Sequence, residues 1–239
     1  MSVRDFASRV TSIATLAEPV RRALYLYVVA QPEPVSRDQA ATAVGVPRHV
    51  AKFNLDKLEE EELLDVEYAR PAGRSGPGAG RPAKLYRRSS REVGVSLPER
   101  HYDLAAEVMA QAITQADERA CPITDALRDA AQEAGHALGM QAKSTSGSRL
   151  SRASAVRTVR EILASQGYEP RDDGNEMSLA NCPFHSLARA HRDLVCGINL
   201  NLIASMLAAA GATGLQAELR PSPGQCCVRI LRTKSAPER

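Results

Sequence analysis

The chain has 239 residues, of which 44% are hydrophobic and 25% are charged. This composition is that of an ordinary globular protein and excludes a disordered or collagen-like chain. No stretch approaches the roughly 18 apolar residues that a membrane span needs, and Asp5 stands where the apolar core of a secretion signal would begin. We therefore expect a cytoplasmic protein without a membrane partner, whose cysteines are reduced.

Positive charge is concentrated in the first part of the chain. Residues 1–92 contain fifteen Lys and Arg against twelve Asp and Glu, whereas residues 93–239 contain sixteen of each. Within the first part, residues 70–91 hold seven basic residues and no acidic one. A local excess of this size indicates an anionic partner.

The first predicted elements are two helices. Apolar residues recur every three or four positions over residues 5–17, which predicts an amphipathic helix. Residues 20–30 are almost continuously apolar and predict a buried helix. Pro32 and Pro34 end that helix, because proline lacks the N–H that a helix interior needs.

The next segment predicts two helices joined by a tight turn. Ser36 is suited to cap a short helix over residues 37–44, and Gly45 is suited to the turn that ends it. Pro47 stands at the first turn of a further helix, which extends to about Glu62. The sequence therefore predicts a helix-turn-helix.

The second of these helices carries a basic face. Arg48, His49, Lys52 and Phe53 lie on a different side from the apolar positions, and such a face is either merely solvated or fits the DNA major groove. We predict that Arg48, His49 and Lys52 contact bases or nearby phosphates. Residues 59–62 are four consecutive acids, which must point away from phosphate if the helix binds DNA.

A hairpin with a basic tip follows the helices. A strand is predicted at about residues 65–70, and seven of the twelve residues over 71–82 are Gly or Pro, which prevents regular structure. A second strand follows, so the order of elements is that of a winged helix. The predicted contacts are Arg74 and Arg81 with the flanking minor groove, and Lys57, Lys84 and Arg87 with the DNA backbone.

The segments 18–25, 35–41, 46–59 and 80–86 together resemble bacterial winged-helix repressors of the ArsR-like group. The resemblance covers roughly residues 10–90. It implies a transcriptional repressor that binds a double-stranded DNA operator. Proteins of this kind read two half-sites as a homodimer.

Three alanine-rich helices are predicted in the middle of the chain, over residues 98–118, 122–142 and 153–166. The first is a candidate dimer bridge, although packing within one chain explains its small residues equally well. Residues 143–151 are predicted as a polar loop.

The predicted fold class is α+β and mostly α. It consists of an N-terminal winged helix-turn-helix domain (1–92), a linker and dimerisation region of helices (93–150), and a C-terminal α+β cysteine-rich sensor domain (151–239).

Four of the five cysteines lie in the last quarter of the chain: Cys182, Cys196, Cys226 and Cys227. Together with His185 and His191 they form a plausible set of ligands for a soft metal. No Cys-x-x-Cys pair is present, so the spacing is not that of a zinc finger or ribbon. Only the tertiary fold can bring these thiols together.

The adjacent cysteines fall in a predicted strand over residues 226–232, which pairs with a strand over residues 214–219. Neighbours in a strand point to opposite faces, so only a bulge would let Cys226 and Cys227 reach one metal. We therefore expect Cys182, Cys196 and one of the pair as ligands, with Cys226 preferred. A fourth ligand would be His185, the other cysteine, or a group from outside.

Over residues 180–231, the order of Cys182, Cys196 and a late cysteine is similar to that in SufR-type repressors, which sense iron–sulfur clusters. The resemblance implies a [4Fe–4S] cluster held by thiolates and repression by the loaded protein. A permanent structural zinc site, combined with a small-molecule effector, is the alternative. Buried, reduced cysteines without metal are a third interpretation.

Two other classes of function fit the sequence less well. An enzyme would use Cys182 as nucleophile with His185 or His191 as base, but the chain has neither a phosphate-binding Gly motif that opens a helix nor a His-Glu-x-x-His motif. An RNA-binding module would need aromatic stacking platforms, and the chain has three Phe, six Tyr and no Trp. We therefore predict a DNA-binding regulator rather than an enzyme.

Overall fold

The computed structural model describes residues 3–69, 82–146 and 152–233. Within these ranges it describes the side chains of all residues except 3–4, 142–146 and 152–153. The chain separates into two compact units, residues 2–95 and residues 96–239. Each has its own hydrophobic core.

The N-terminal unit contains four helices and a small antiparallel sheet within its described residues. The predicted order of helices and hairpin strands is confirmed. In chain order the elements are α1 (Val3–Thr15), α2 (Pro19–Val29), β1 (Val35–Ser36), α3 (Arg37–Val44), α4 (Arg48–Glu60), β2 (Leu64–Ala69) and β3 (Ala83–Arg88). The sheet order is β1-β3-β2, and β2 pairs with β3 from Leu64 opposite Arg88 to Ala69 opposite Ala83.

The turn between α3 and α4 is determined by local sequence, as predicted. Ser36 caps α3 in a capping box, in which its hydroxyl accepts from the Gln39 N–H and the Gln39 side chain accepts from the Ser36 N–H. Gly45 ends α3 with φ +72°, a left-handed conformation that glycine adopts without strain. The two helices then pack with α2 around the fully buried Leu24 and Leu55.

The C-terminal unit contains five helices and a four-stranded sheet within its described residues. In chain order they are α5 (Tyr102–Arg119), α6 (Ile123–Ser146), α7 (Arg152–Ser165), β4 (Pro170–Asp172), β5 (Glu176–Leu179), α8 (His185–Ala190), α9 (Arg192–Ala209), β6 (Leu215–Leu219) and β7 (Val228–Arg232). The sheet is antiparallel throughout, in the order β4-β5-β7-β6.

Several predicted boundaries in this unit were wrong. The helix predicted from residue 98 begins at Tyr102, because the N–H of Arg100 donates to Ser96 Oγ and that of His101 to the Pro183 carbonyl. Helix α6 continues to Ser146, into the predicted polar loop, and residues 147–151 lie outside the described residues. The short strands β4 and β5 were not predicted.

Helix α6 packs very closely against α9. A Cβ atom at Gly135 would overlap the backbone carbonyl of Leu202, and one at Gly139 would lie 2.7 Å from the Cβ of Ala209. Helix α5 packs against α6 with Ala105, Val108 and Ala112, so this face of the candidate dimer bridge is used within the chain.

Among the described residues, α9 is the one helix long and apolar enough to pass a length and composition test for a membrane span. Half of that 18-residue window is buried inside the unit, where Val195, Ile198, Leu202 and Met206 belong to the core. Its apolar character is therefore explained as that of a core helix that packs on more than one side.

Replacing Gly135 with Ala is expected to lower the free energy of unfolding by about 1–3 kcal/mol, because α9 must move away from α6 to admit a methyl group. Chemical denaturation followed by circular dichroism measures this. Gly197→Ala is the matched control, since Gly197 lies in α9 with no heavy atom within 4 Å of the added Cβ. That variant should be neutral or slightly stabilising; equal stability of the two variants would contradict the close helix contact.

Candidate DNA interface and thiol site

The basic face of α4 is open to solvent in the N-terminal unit. Arg48, His49 and Lys52 are all exposed, and the Phe53 side chain is 67% exposed. The opposite side of α4 is fully buried, as the fold of a recognition helix requires. The structure thus leaves the predicted face without a covering element of its own unit.

Arg48 forms a solvent-exposed ion pair. Its Nε lies 2.6 Å from Asp38 Oδ1, and the two side chains are 70% and 65% exposed. Exposed ion pairs contribute at most about 1 kcal/mol. The guanidinium can therefore exchange this carboxylate for a phosphate or a base edge.

The four acids at the end of α4 are all paired with cations of the same unit. Glu59 contacts Lys84, Glu60 and Glu61 contact Lys57, and Glu62 contacts Arg91. These pairs explain how a run of carboxylates can follow the basic face of a recognition helix. Three cations thus offset part of their negative charge, with Lys57 shared by two of the acids.

Two predicted backbone contacts, Lys57 and Lys84, are involved in these pairs. Lys84 Nζ lies 2.9 Å from Asp56 Oδ1 and also contacts Glu59, and it stands 5.2 Å from the centre of the Tyr86 ring. Burial lowers the pKa of Lys84, but hydrogen bonds to Glu59 and Asp56 outweigh it and raise the pKa. Lys84 thereby joins β3 to α4, and its contact with DNA stays a prediction.

The remaining predicted DNA contacts belong to the hairpin. Arg87 is exposed on β3, opposite Asp65 of β2. Arg74 and Arg81 lie outside the described residues, so their contacts also stay predictions.

The four late cysteines of the C-terminal unit lie around one cavity of roughly 390 Å³. Cys182 follows β5, Cys196 lies in the second turn of α9, and Cys226 and Cys227 directly precede β7. Each of these four cysteines is at most 9% exposed. Three separate chain segments therefore bring their sulfur atoms to the same place.

The thiols around the cavity shift one another's pKa. Hydrogen bonding to Cys226, followed by burial, raises the pKa of Cys182. Hydrogen bonding with Cys182 lowers the pKa of Cys226, but hydrogen bonding with Cys227 and burial raise it to about 12. Burial raises the pKa of Cys196, and a hydrogen bond with Cys227, which lowers it, offsets only part of this effect. The thiols of Cys182, Cys196 and Cys226 are thus protonated at neutral pH.

The expectation that Cys226 and Cys227 face opposite ways was wrong. Strand β7 begins at Val228, so both cysteines lie in the irregular segment before it, where strand alternation does not apply. The Cys226 N–H donates to the Leu179 carbonyl at 2.9 Å, and the Arg220 N–H donates to the Cys227 carbonyl at 2.7 Å. These bonds hold the segment so that both residues line the cavity.

The other side chains around the cavity are basic or neutral. His185, Arg189 and Arg192 line it, and no Asp or Glu is among its lining residues. The predicted ligand His185 is therefore at the site, whereas His191 precedes α9 and does not line the cavity. An occupant that carries negative charge would be stabilised here.

No group of three or more His, Cys, Asp or Glu among the described residues is arranged to hold a single metal ion as the side chains stand. The pKa values of Cys182, Cys196 and Cys226 are nevertheless each shifted by neighbouring thiols of this set.

The loop that carries Cys182 is fixed by residues that the sequence analysis missed. The Arg100 guanidinium donates to the Cys182 carbonyl at 3.1 Å and to Asn181 Oδ1, and Asn181 Nδ2 donates to the carbonyls of Glu99 and Gly167. Arg100 belongs to the first residues of the C-terminal unit. The segment that enters this unit from the winged helix is thus bonded directly to a thiol loop.

Two further missed residues, Tyr168 and Asn199, lie behind Cys226. Burial raises the pKa of Tyr168 well above its usual range, so its hydroxyl stays protonated, and it donates to Asn199 Oδ1. Asn199 Nδ2 in turn lies 3.1 Å from Cys226 Sγ. The signal in the sequence was an Asn between two apolar residues of α9, Ile198-Asn199-Leu200.

Comparison with known proteins gives one result. Residues 16–67 match the family model of a helix-turn-helix domain, which covers α2 to α4 and the start of β2. The match supports a winged-helix, DNA-binding transcriptional regulator rather than an enzyme. No curated protein and no solved structure matches the chain.

The carboxylate of Asp56 is expected to stabilise the N-terminal unit in a pH-dependent way. Burial raises its pKa, but hydrogen bonds from Lys84 and Tyr86 outweigh burial and hold the pKa below the ordinary Asp value of 3.8. The unfolded state therefore binds more protons near that pH, and the stabilisation is complete above pH 3.8 and lost on further acidification.

Asp56→Asn should lower the free energy of unfolding by about 1–3 kcal/mol at pH 7, because Lys84 loses a charged partner. The difference from wild type should shrink as the pH falls below 3.8, as denaturant titrations at several pH values would measure. Asp38→Asn, which removes an exposed partner of Arg48, should change stability by less than about 1 kcal/mol. A difference for Asp56→Asn that is constant with pH would contradict this account.

Proposed function

We propose that the protein is a cytoplasmic, homodimeric transcriptional repressor controlled by an iron–sulfur cluster that Cys182, Cys196, Cys226 and Cys227 bind. The observation that carries the proposal is the convergence of four buried thiols on one cavity without acidic lining residues. They occur in the same chain as a helix-turn-helix domain. The resemblance of residues 180–231 to SufR-type repressors is consistent with this proposal. The family match covers residues 16–67 and therefore does not include the thiol site.

The DNA-binding part of the proposal rests on α4. Its exposed Arg48, His49 and Lys52 would enter the major groove, while the acids that follow are paired with Lys57, Lys84 and Arg91. Arg74 and Arg81 of the basic hairpin segment would neutralise phosphate beside the groove. A dimer would place two such helices on two half-sites of the operator.

The donor set supports a cluster rather than a zinc ion. Structural zinc is typically held by cysteines spaced as Cys-x-x-Cys pairs, and the chain has no such pair. A cluster of several atoms instead takes thiolates spaced around a cavity. A cluster with thiolate ligands is anionic, and Arg189 and Arg192 would balance its charge.

When bound, the cluster would supply metal–sulfur bonds that oxidation or iron loss can break. Gain or loss of these bonds would change how tightly the surrounding protein segments are held together. The thiols must release protons to act as ligands, so binding should strengthen as the pH rises. Ligation would hold the Cys182 loop, α9 and the segment before β7 together, and Arg100 already bonds the entering segment to that loop. This connection offers a route by which the thiol site can influence the DNA-binding unit.

The DNA contacts of α4 can be tested by salt dependence. Lys52→Gln and Arg48→Gln should weaken binding to a duplex selected from a random library. Each should also reduce the slope of log K against log salt by about 1 if the residue contacts phosphate. Fluorescence anisotropy measures both, and the stoichiometry reports whether two chains bind one duplex. Arg128→Gln removes the same charge from the C-terminal unit and should leave the slope unchanged; equal effects of all three variants would contradict an α4 interface.

The metal site can be tested by anaerobic reconstitution with ferrous iron and sulfide. The wild-type protein should take up about four irons and four sulfides per chain, with visible charge-transfer absorption. Cys182→Ser, Cys196→Ser and Cys226→Ser should each reduce iron uptake and remove the dependence of DNA affinity on loading. Cys121→Ser is the matched control, because Cys121 does not line the cavity. A colourless protein with one zinc per chain would favour the structural zinc site instead.

A further inference from the structure

The thiol site contains a buried hydrogen-bond donor that is not a ligand. Asn199 is 0% exposed in α9, next to Ile198 and close to Leu202 in the apolar core. Burying a carboxamide in such surroundings is unfavourable unless its polar atoms are bonded. Both of its polar atoms have partners, and one of them is a sulfur atom.

The orientation of this amide is fixed from behind. The Tyr168 hydroxyl donates to Asn199 Oδ1, which leaves Nδ2 to point at Cys226 Sγ, 3.1 Å away. Tyr168 is itself 1% exposed, and its ring packs edge-on against Phe184 at a centroid distance of 6.4 Å. The chain from Tyr168 through Asn199 to Cys226 is therefore rigidly packed.

The hydrogen bond from Asn199 Nδ2 to Cys226 Sγ differs in strength between a thiol, a thiolate and a metal-bound sulfur. A protonated thiol is only a weak acceptor, whereas a thiolate or a metal-bound sulfur has no proton and can only accept. A hydrogen bond to a charged acceptor is about twice as strong as one between neutral groups. A donor held in place behind Cys226 suits a sulfur that carries negative charge.

Cys226 is held at two points, its backbone N–H and its sulfur atom. It is 1% exposed, and its N–H is bonded to the Leu179 carbonyl at the end of β5. The backbone and the sulfur atom of this residue are thus each fixed by a separate hydrogen bond.

We propose that Asn199, oriented by Tyr168, is a positioning residue that donates a hydrogen bond to Cys226 Sγ and stabilises this sulfur as a metal ligand. The inference rests on the proposed metal-binding function of the four thiols. Hydrogen bonds to ligand sulfurs stabilise the more negative, reduced state of an iron–sulfur centre. Loss of the donor should therefore make the centre harder to reduce.

The test compares three variants after anaerobic reconstitution with ferrous iron and sulfide. Asn199→Leu removes the donor at similar volume, and Tyr168→Phe removes only the hydroxyl that orients it. Asn201→Leu is the matched control, because Asn201 lies in the same helix and donates to the Gly197 carbonyl rather than to a thiol. Spectroelectrochemistry measures the midpoint potential, and thermal melts check that each variant is folded.

The midpoint potential should be lowered in Asn199→Leu, lowered less in Tyr168→Phe, and unchanged in Asn201→Leu. If Asn199→Leu fails to fold, the comparison of Tyr168→Phe with Asn201→Leu decides the question. A folded, loaded Asn199→Leu protein with the wild-type potential would overturn the inference and leave the proposed cluster intact. A wild-type protein that takes up no iron would overturn both.

Discussion

The close contact between α6 and α9 is the constraint on which the thiol site depends. Gly135 and Gly139 allow the two helix backbones to approach, and this contact sets the position of α9. Helix α9 carries both Cys196 and Asn199, whereas the other thiols come from loops beside the sheet. A shift of α9 would therefore separate Cys196 from Cys227 and Asn199 from Cys226 together.

The two units handle charge in opposite ways. In the N-terminal unit, cations pair with the acids at the end of α4, which leaves the basic face of that helix as the surface for a polyanion. In the C-terminal unit, His185, Arg189 and Arg192 surround the thiols without an acid among the lining residues. Each arrangement favours an anion, which under the proposed function is a duplex in the first case and a thiolate-bound metal centre in the second.

The winged-helix part could be predicted from sequence because its signals are local. Ser36 and Gly45 act through bonds to residues a few positions away, so the helix boundaries followed from the residues themselves. The strand predicted over residues 226–232 is present but begins only at Val228, so the expectation for Cys226 and Cys227 was wrong for a related reason. Alternation of side chains holds only within a paired strand, and the bonds that Cys226 and Cys227 make to Leu179 and Arg220 replace pairing at these positions.

The sequence by itself determined that a basic helix-turn-helix opens the chain and that four thiols lie near its end, because composition and short-range patterns carry this information. Only the tertiary structure decided that both Cys226 and Cys227 reach the cavity, that Lys84 is held by acids, and that Asn199 faces a sulfur. Those contacts join residues up to dozens of positions apart. Their geometry depends on how helices and strands pack, which no local spacing encodes.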